Sequence, residues 1–266
     1  MGALLVCDAG AVTNPGATIT AVPAGAGSTF TVRGTSASTS QSLVGLSRGG
    51  ATKGIVRVRS PYLSDNVQGI RYAAAAGIQD DLMSLIGAQS LIPQDTLVVE
   101  VTGGAAEFDG ALLTSYYNDL SGASPKLKMP GDIAGSAEYI TTWQVDAAAP
   151  ATEGAWNNTL ITALYDESKA NRWYALVGYV VDTPVLGVAL NGADTSNFNI
   201  GGPGVTEPYR TKAYFADLSM ALGKPCIPVF NSANKGNTNV AVVDVAASTA
   251  VNVTLVVAVM PVSWQP

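Results

Sequence analysis

Residues 217–228 read DLSMALGKPCIP, and residues 81–93 repeat this pattern, with one gap, as DLMSLIGAQSLIP. Both stretches begin with Asp-Leu, continue through a short apolar turn to a glycine, and end at Ile-Pro. In each half of the chain two strand-like runs follow the Ile-Pro pair, at residues 96–101 and 110–117, and at residues 239–245 and 251–260. A repeat of about 140 residues is too long for a solenoid and indicates two copies of one domain.

The rest of the chain is dominated by short strand-like runs. Residues 54–59 read GIVRVR, and this period of two predicts a half-buried strand with Arg57 and Arg59 on one face. Residues 173–181 and 185–190 are typical of buried strands, whereas residues 157–165 fit either a strand or a helix. We therefore expect a mainly β protein with roughly six to eight strands in each half.

One short segment in each half has clear helical spacing. Residues 78–86 and 210–222 carry apolar side chains at this spacing, and each segment is stopped by a glycine, Gly87 or Gly223. Together with the strand count, this predicts two consecutive antiparallel jelly-roll barrels or sandwiches, each with one short helix before its final hairpin.

Composition shifts indicate where the two domains meet. The first jelly roll is expected at residues 1–122, with an N-terminal arm rich in Gly, Pro and Ala at residues 14–27. Residues 123–136 are the linker, and residues 137–266 form the second jelly roll. The sequence Gly-Gly-Pro-Gly at residues 201–204 predicts a tight loop, and it lacks the Lys-Ser/Thr that completes a phosphate-binding loop.

The surface of this chain is poor in charge. Charged residues make up 13% of the 266 residues, hydrophobic residues 47%, and the formal net charge is −6. Such a composition favours a surface covered by other copies of the chain, the alternative being a stable, low-charge secreted domain. Residues 1–75 carry six basic and two acidic side chains, a net charge of +4, and the remainder carries −10. This asymmetry favours head-to-tail attraction between copies.

Several functional classes are disfavoured by what the chain contains. The chain has no histidine, which excludes Ser-His-Asp and Cys-His catalysis and imidazole metal ligands. We expect no enzyme activity, no catalytic residues, no cofactor and no metal site. The acidic net charge argues against general nucleic-acid binding. The two cysteines, Cys7 and Cys226, lack metal-ligand spacing, and spacing alone leaves open whether they pair.

The N-terminus and the hydropathy pattern indicate no membrane targeting. The first residues, MGALLV, lack the basic start of a signal peptide, and no apolar run is long enough for a transmembrane helix.

Three arginines are the candidate contact residues. Arg57, Arg59 and Arg71 are candidates for contacts between subunits or for an inner surface that faces a genome or lipid head groups. Pairing with carboxylates of a neighbouring copy and simple solvation remain open as alternatives.

The repeated arrangement of strands, helix and Ile-Pro at residues 54–117 and 187–260 resembles the double jelly-roll major capsid proteins of tailless icosahedral viruses. The resemblance implies a trimer whose six barrels form a near-hexagonal tile, and tiles that build a closed shell. It implies a bacteriophage or other viral structural protein, located in the virion and assembled in the host cytoplasm. Its partners would be further copies of itself, with other capsid proteins and inner-side lipid or genome as additional candidates.

A second class of function starts from the tryptophans. Trp143, Trp156 and Trp173 lie close together in the sequence, and exposed aromatic rings form sugar-stacking platforms. Packing of these rings in the core or at an interface is the alternative. The alternative reading is therefore a two-domain β-sandwich that binds carbohydrate, such as an adhesin or lectin. It predicts exposed tryptophans and a monomer or small oligomer. A hydrolase on the same fold would need two carboxylates in one cleft, and the sequence marks no such pair.

Overall fold

The computed structural model describes residues 4–13, 28–33, 41–49, 54–62, 68–74, 79–80, 89–92, 94–102, 108–118, 126–161, 171–244 and 250–266. Within these residues the protein is mainly β, with four antiparallel sheets and few short helices. The expectation of a mainly β, sandwich-like protein is confirmed.

The described part of the first half consists of strands. They are β1 (Leu4–Thr13), β2 (Ser28–Thr31), β3 (Gln41–Gly49), β4 (Gly54–Arg59), β5 (Ile70–Ala74), β6 (Gln79–Asp80), β7 (Gln89–Leu91), β8 (Thr96–Thr102) and β9 (Phe108–Tyr117).

The described part of the second half adds further strands and three short α-helices. The strands are β10 (Leu127–Lys128), β11 (Tyr139–Ala147), β12 (Asn157–Leu160), β13 (Trp173–Val181), β14 (Val185–Asn191), β15 (Ile200–Gly204), β16 (Ile227–Asn231), β17 (Asn239–Val243) and β18 (Val251–Val259). The α-helices are α1 (Pro130–Ala134), α2 (Pro208–Thr211) and α3 (Tyr214–Leu222), with 3-10 turns at Ala193–Thr195 and Ser232–Asn237. Helix α3 ends at Gly223, which adopts the left-handed conformation with φ 63°.

The strands form two sandwiches, each made of two facing sheets. Sheet I has the order β1-β9-β3, with β6 and β7 both on the far edge of β3, and sheet II has the order β2-β8-β4-β5. Apolar side chains from both sheets, such as Leu113 of β9 and Val58 of β4, form the first core. Sheet III (β10-β16-β13-β18-β11) and sheet IV (β12-β17-β14-β15) form the second core, which is continuous with side chains of sheet I such as Leu5 and Tyr116.

The two halves share one strand order. Sheet I matches sheet III, with β1, β9 and β3 at the positions of β11, β18 and β13, and sheet II matches sheet IV strand for strand. The predicted closing hairpins are wrong in both halves, because β8 and β9 lie in different sheets, as do β17 and β18. In each half, the chain crosses from one sheet to the other between its last two strands, so these two strands do not pair with each other.

Strand β3 was not predicted, although it lies in the middle of sheet I. Its register against β9 shifts between Leu43 and Gly45, which marks a β-bulge. The bulge lets Leu43 and Leu46, three residues apart, both face the first core. The period-two pattern that identifies a strand is therefore broken within the strand itself.

Other predicted segments fall partly or wholly outside the described residues. The arm at residues 14–27 lies outside them, as do residues 78 and 81–86 of the helix predicted at 78–86. The start of that helix is wrong, since Gln79–Asp80 is β6 and pairs with β3. In the predicted linker, the described residues 126–136 carry β10, which pairs with β16, and helix α1.

The Gly-Gly-Pro-Gly segment is strand β15 and not a loop, which corrects the prediction. It is buried throughout and pairs with β14 at the edge of sheet IV, a position where proline is tolerated. A Cβ atom on Gly201 would lie 1.9 Å from the carbonyl oxygen of Val188, and one on Gly202 would lie 2.3 Å from the Tyr214 ring. The glycines thus allow β15 to approach β14 and helix α3 closely.

Replacing Gly201 by alanine is expected to destabilise the protein by about 3 kcal/mol, because the added methyl group meets backbone that has no room to move. Chemical denaturation measures this change. The matched control is Gly131→Ala in helix α1, where an added Cβ meets nothing within 4 Å and stability should change by less than about 1 kcal/mol. Equal stability of the two variants would contradict the close packing of β15.

Candidate functional site

A buried seam joins the two sandwiches. The outer face of sheet I packs on the outer face of sheet IV, where Cys7 and Leu112 form an apolar cluster with Leu186 and Val243. Leu112 is fully buried and lies directly against Gly187 of β14. Strand β9 is therefore covered on both faces, since Leu113 faces the first core and Leu112 faces the second sandwich.

Polar contacts fix the position of the seam. The backbone N–H of Cys7 on β1 donates to the carbonyl oxygen of Asn199 at 2.7 Å. The Tyr116 hydroxyl donates to the carbonyl oxygen of Pro225 at 3.3 Å, and the Lys224 ammonium lies 4.9 Å from the centre of the Tyr116 ring. These directional contacts supplement the apolar burial at this face.

Both cysteines are buried thiols near the seam. Cys7 lies 3.3 Å from the Thr114 hydroxyl, measured from Sγ to Oγ1. Burial raises the pKa of the Cys226 thiol to about 11, although the Ser219 side chain and the Lys224 charge act in the opposite direction. The question of their pairing, which spacing left open, is answered by the structure: Cys7 and Cys226 are not joined.

Arg57 and Arg59 lie on the outer face of sheet II, yet both are buried. Their shared partner is Glu100 on the neighbouring strand β8. The Nε atoms of Arg57 and Arg59 both donate to Oε2 of Glu100, at 2.5 Å and 3.0 Å, and Nη2 of Arg59 donates to Oε1 at 3.2 Å. Gly69 lies over the stems of both arginines and leaves no room for a Cβ atom there.

The ionisation of Glu100 reflects this environment. Burial alone raises the pKa of its carboxyl group, but the hydrogen bonds and charges of Arg57 and Arg59 outweigh burial. The net result is a pKa below the ordinary value of 4.5. Glu100 is therefore charged at neutral pH, and the cluster depends on that charge.

Arg71 shares this face but is exposed. It lies directly opposite Arg57 on β5, and its guanidinium bonds to the backbone and side-chain oxygens of Gln68 at 3.2 Å and 3.0 Å. The sequence pattern placed Arg57 and Arg59 on one face correctly but gave no sign of Glu100, because strand pairing joins residues more than 40 positions apart. We call the outward side of β4 and β5, with Arg57, Arg59 and Arg71, the arginine face.

The outward side of sheet III remains exposed along β11. Ile140, Thr142, Gln144 and Asp146 are exposed on alternate positions, and Ile140 is 66% accessible. Asp182 directly follows β13 and is exposed as well. We call this surface the open face.

The open face changes character along its length. At the Ile140 end it borders a groove of about 390 Å³ between helices α1 and α3, lined mainly by apolar side chains together with Tyr139. At the other end Asp146 and Asp182 flank Asn252 of β18, whose backbone and side-chain N–H groups donate to Asp182 at 3.0 Å. These hydrogen bonds hold the pKa of Asp182 below its ordinary value, although burial opposes them slightly.

The tryptophans do not form an exposed platform. Trp173 is buried and meets Trp264 edge to face, with the ring centres 6.4 Å apart. Trp143 is half-buried against Tyr174, and Trp156 is half-buried beside the seam. The exposed tryptophans expected for a sugar-binding surface are therefore absent at these three positions.

The described residues contain no group of three or more His, Cys, Asp or Glu side chains arranged to hold a metal ion. None of the helices in the described part of the chain has the length and apolar character needed to cross a membrane.

Comparisons with known proteins give no family. No protein-family model matches the chain, and no curated protein matches it in sequence. The crystal structure of the PBSX exported protein XepA matches at 13% identity and a TM-score of 0.26, over 97% of this chain and 86% of its own. The protein YhaK from Escherichia coli matches at 8% identity and a TM-score of 0.25, over 98% and 87%. At these TM-scores neither protein informs the function of this chain.

Proposed function

We propose that this chain is a self-assembling structural subunit of a viral shell, the major capsid protein of a bacteriophage or related virus, built from two jelly rolls. The observation that carries the proposal is the strand order that both sandwiches share. Two joined sandwiches of one design give a subunit several rigid lateral surfaces, which is what tiling a closed shell requires.

The pairing of strands supports the jelly-roll assignment. In a jelly roll, eight strands form a long antiparallel ribbon that pairs strand 1 with 8, 2 with 7, 3 with 6 and 4 with 5, and the ribbon then rolls into two sheets. The second sandwich contains these four pairs as β11–β18, β12–β17, β13–β16 and β14–β15. Rolling the ribbon adds the contacts of strand 8 with 3 and strand 7 with 4, which match β18–β13 and β17–β14.

The first sandwich supports the same assignment. Three of its ribbon pairs are β1–β9, β2–β8 and β4–β5. The fourth pair, strand 3 with strand 6, is formed by β3 with the two short strands β6 and β7, which both lie along one edge of β3. The rolled contacts are β9–β3 and β8–β4. A repeated eight-strand order of this kind is the feature that the resemblance to double jelly-roll capsid proteins implies.

A structural role also fits the chemistry of the described surface. The charged groups described above are engaged in pairing within the chain or lie on flat sheet faces, and the apolar groove beside the open face is suited to contact with another chain. The subunit would act through geometry, with buried area at each contact driving assembly.

Light scattering after size exclusion, across a range of salt concentrations, tests the proposal. We expect a trimer of about 82 kDa, three times the 27.2 kDa of one chain, or particles in the megadalton range. Electron microscopy of the heaviest fraction separates closed shells from aggregates. A monomer at every salt and protein concentration would overturn the proposal.

A further inference from the structure

The first sandwich is open along the side where β1 and β2 end its two sheets. Within the described residues, β1 pairs only with β9 in sheet I, and β2 pairs only with β8 in sheet II. Between the two strands lies a groove of about 470 Å³, lined by Asp8, Ala9 and Gly10 of β1, by residues 29–31 of β2, and by Arg33. The edge of a sheet offers backbone N–H and C=O groups to a further strand, and proteins usually cover it.

The hydrogen bonds of β1 show which of its backbone groups face away from the sheet. In an antiparallel ladder, successive residues direct their N–H and C=O groups alternately to one neighbour and to the other side. The N–H of Cys7 points away from β9, because it donates to the carbonyl oxygen of Asn199 at 2.7 Å. The backbone groups of Ala9, two residues further along, therefore point away from β9 as well.

The same reasoning applies to β2. The N–H of Val32, directly after this strand, donates to the carbonyl oxygen of Asp95 at 2.8 Å, on the side of β8. The backbone groups of Thr29 and Thr31 are one residue out of phase with Val32 and point away from β8. Both threonines are also exposed. The groove thus lies between two strand edges that each present backbone donors and acceptors.

The edge of β1 already pairs with another segment where the seam begins. Phe198 and Asn199, which lead into β15, run past Cys7, and the hydrogen bond from Cys7 to Asn199 forms there. The Phe198 ring centre lies 5.2 Å from the guanidinium carbon of Arg33, which lines the groove. The groove begins at the next residue of β1, Asp8. It is therefore continuous with an edge that the seam uses for backbone pairing.

Arg33 gives the groove a side-chain donor that the chain engages only in part. Its Nη2 atom donates to Asp8 at 2.6 Å, and its Nε atom has no hydrogen-bond partner. Arginine offers five N–H donors, and 39% of the Arg33 side chain is exposed. A carboxylate or amide oxygen of an occupant can therefore accept a hydrogen bond from this guanidinium.

The second sandwich closes the corresponding side with its own groups. There β11 takes the place of β1, and β12 takes the place of β2. Trp143 of β11 packs edge to face on the buried Tyr174, with the ring centres 4.9 Å apart. The Asn157 amide of β12 donates to the carbonyl oxygens of Ala148 and Ala149, directly after β11, at 3.1 Å and 2.8 Å. The first sandwich instead has the ion pair of Asp8 and Arg33 with the groove beside it.

We infer that this groove binds an extended segment of another protein, which joins the edge of β1 as an added strand. The backbone of the segment exchanges hydrogen bonds with Ala9, and its alternate side chains enter the groove beside Thr29 and Thr31. One of these side chains supplies the oxygen that accepts from Arg33. The inference goes beyond the proposed function, since it requires no assembly of this chain.

Selection from a library of random linear peptides, followed by fluorescence anisotropy with the selected peptides, tests the inference. Ala9→Pro is expected to weaken their binding by about tenfold or more, because proline lacks the N–H that points away from β9 and its ring occupies the edge. Ala9→Gly is the matched control, since it keeps this N–H, and should change binding by less than about threefold. Circular dichroism with thermal melting shows that each variant is folded.

A second measurement uses the wild-type protein alone. Methylating the backbone nitrogens of a selected peptide one at a time should weaken binding at every second position, because an added strand directs alternate N–H groups to its neighbour. Equal effects at successive positions, or equal binding to both Ala9 variants, would overturn the inference. Failure to select any peptide would overturn it too. If no peptide binds and Ala9→Pro dissociates an assembled form in light scattering, the occupant is a second copy and the inference is wrong, while the proposed function stands.

Discussion

Replacing Glu100 by glutamine is expected to lower the free energy of unfolding by about 3–5 kcal/mol, because it leaves two buried guanidinium groups without their shared carboxylate. Glu100 and Arg57 are 2% and 1% exposed, so water cannot take over the role of the lost charge. Denaturation in urea, followed by circular dichroism, measures the change.

The control for this prediction is Arg71→Gln. Arg71 lies directly opposite Arg57 on the same face, but it is exposed and bonds to Gln68. Its replacement should change stability by no more than about 0.5 kcal/mol. A loss of similar size in both variants would show that burial of the Glu100 cluster is not the cause.

The effect of Glu100→Gln should depend on pH in a definite direction. The pKa of Glu100 is lowered on folding, so its charge stabilises the folded protein at pH values above the ordinary 4.5 and loses this effect as the pH falls through the folded pKa. The stability difference between wild type and variant should therefore be largest near neutral pH and shrink in acid. If the stability difference does not depend on pH, the variant is destabilised by altered packing and not by the loss of the Glu100 charge.

Replacing Leu112 by alanine is expected to cost about 2–5 kcal/mol, because the leucine is fully buried in the seam and its loss leaves a cavity against Gly187. The seam also shields Cys7, which belongs to the same apolar cluster. We therefore expect native-state labelling of Cys7 by a thiol reagent to become faster in the variant, as the two sandwiches separate more often.

Leu160→Ala provides the matched control for the seam. Leu160 is 54% exposed at the end of β12, and its truncation should alter stability by about 0.5 kcal/mol or less and leave Cys7 labelling unchanged. Identical stability and labelling in the two variants would contradict a seam that holds the sandwiches together.

Local patterns predicted several elements well. Apolar and charged side chains alternate at residues 56–59 because Val56 and Val58 face the first core, and that alternation is visible in the sequence. Helix α3 covers most of the helix predicted at residues 210–222 from apolar spacing and a glycine stop, which are local signals. The start of that segment, Arg210 and Thr211, belongs instead to the separate helix α2. The failures at β3 and β15 also have local causes, a bulge in one strand and a run of glycines in the other.

The sequence by itself determined that the protein is mainly β and that Arg57 and Arg59 share one face of a strand. These properties depend on residues that are neighbours along the chain. Only the tertiary structure decided that the final strands of each half lie in different sheets, that Glu100 binds both arginines, and that Leu112 faces another sandwich. Strand pairing and sheet packing join residues that are far apart in sequence. Which residues meet is fixed by the register of the whole sheet, so these contacts leave no periodic signal in any one segment.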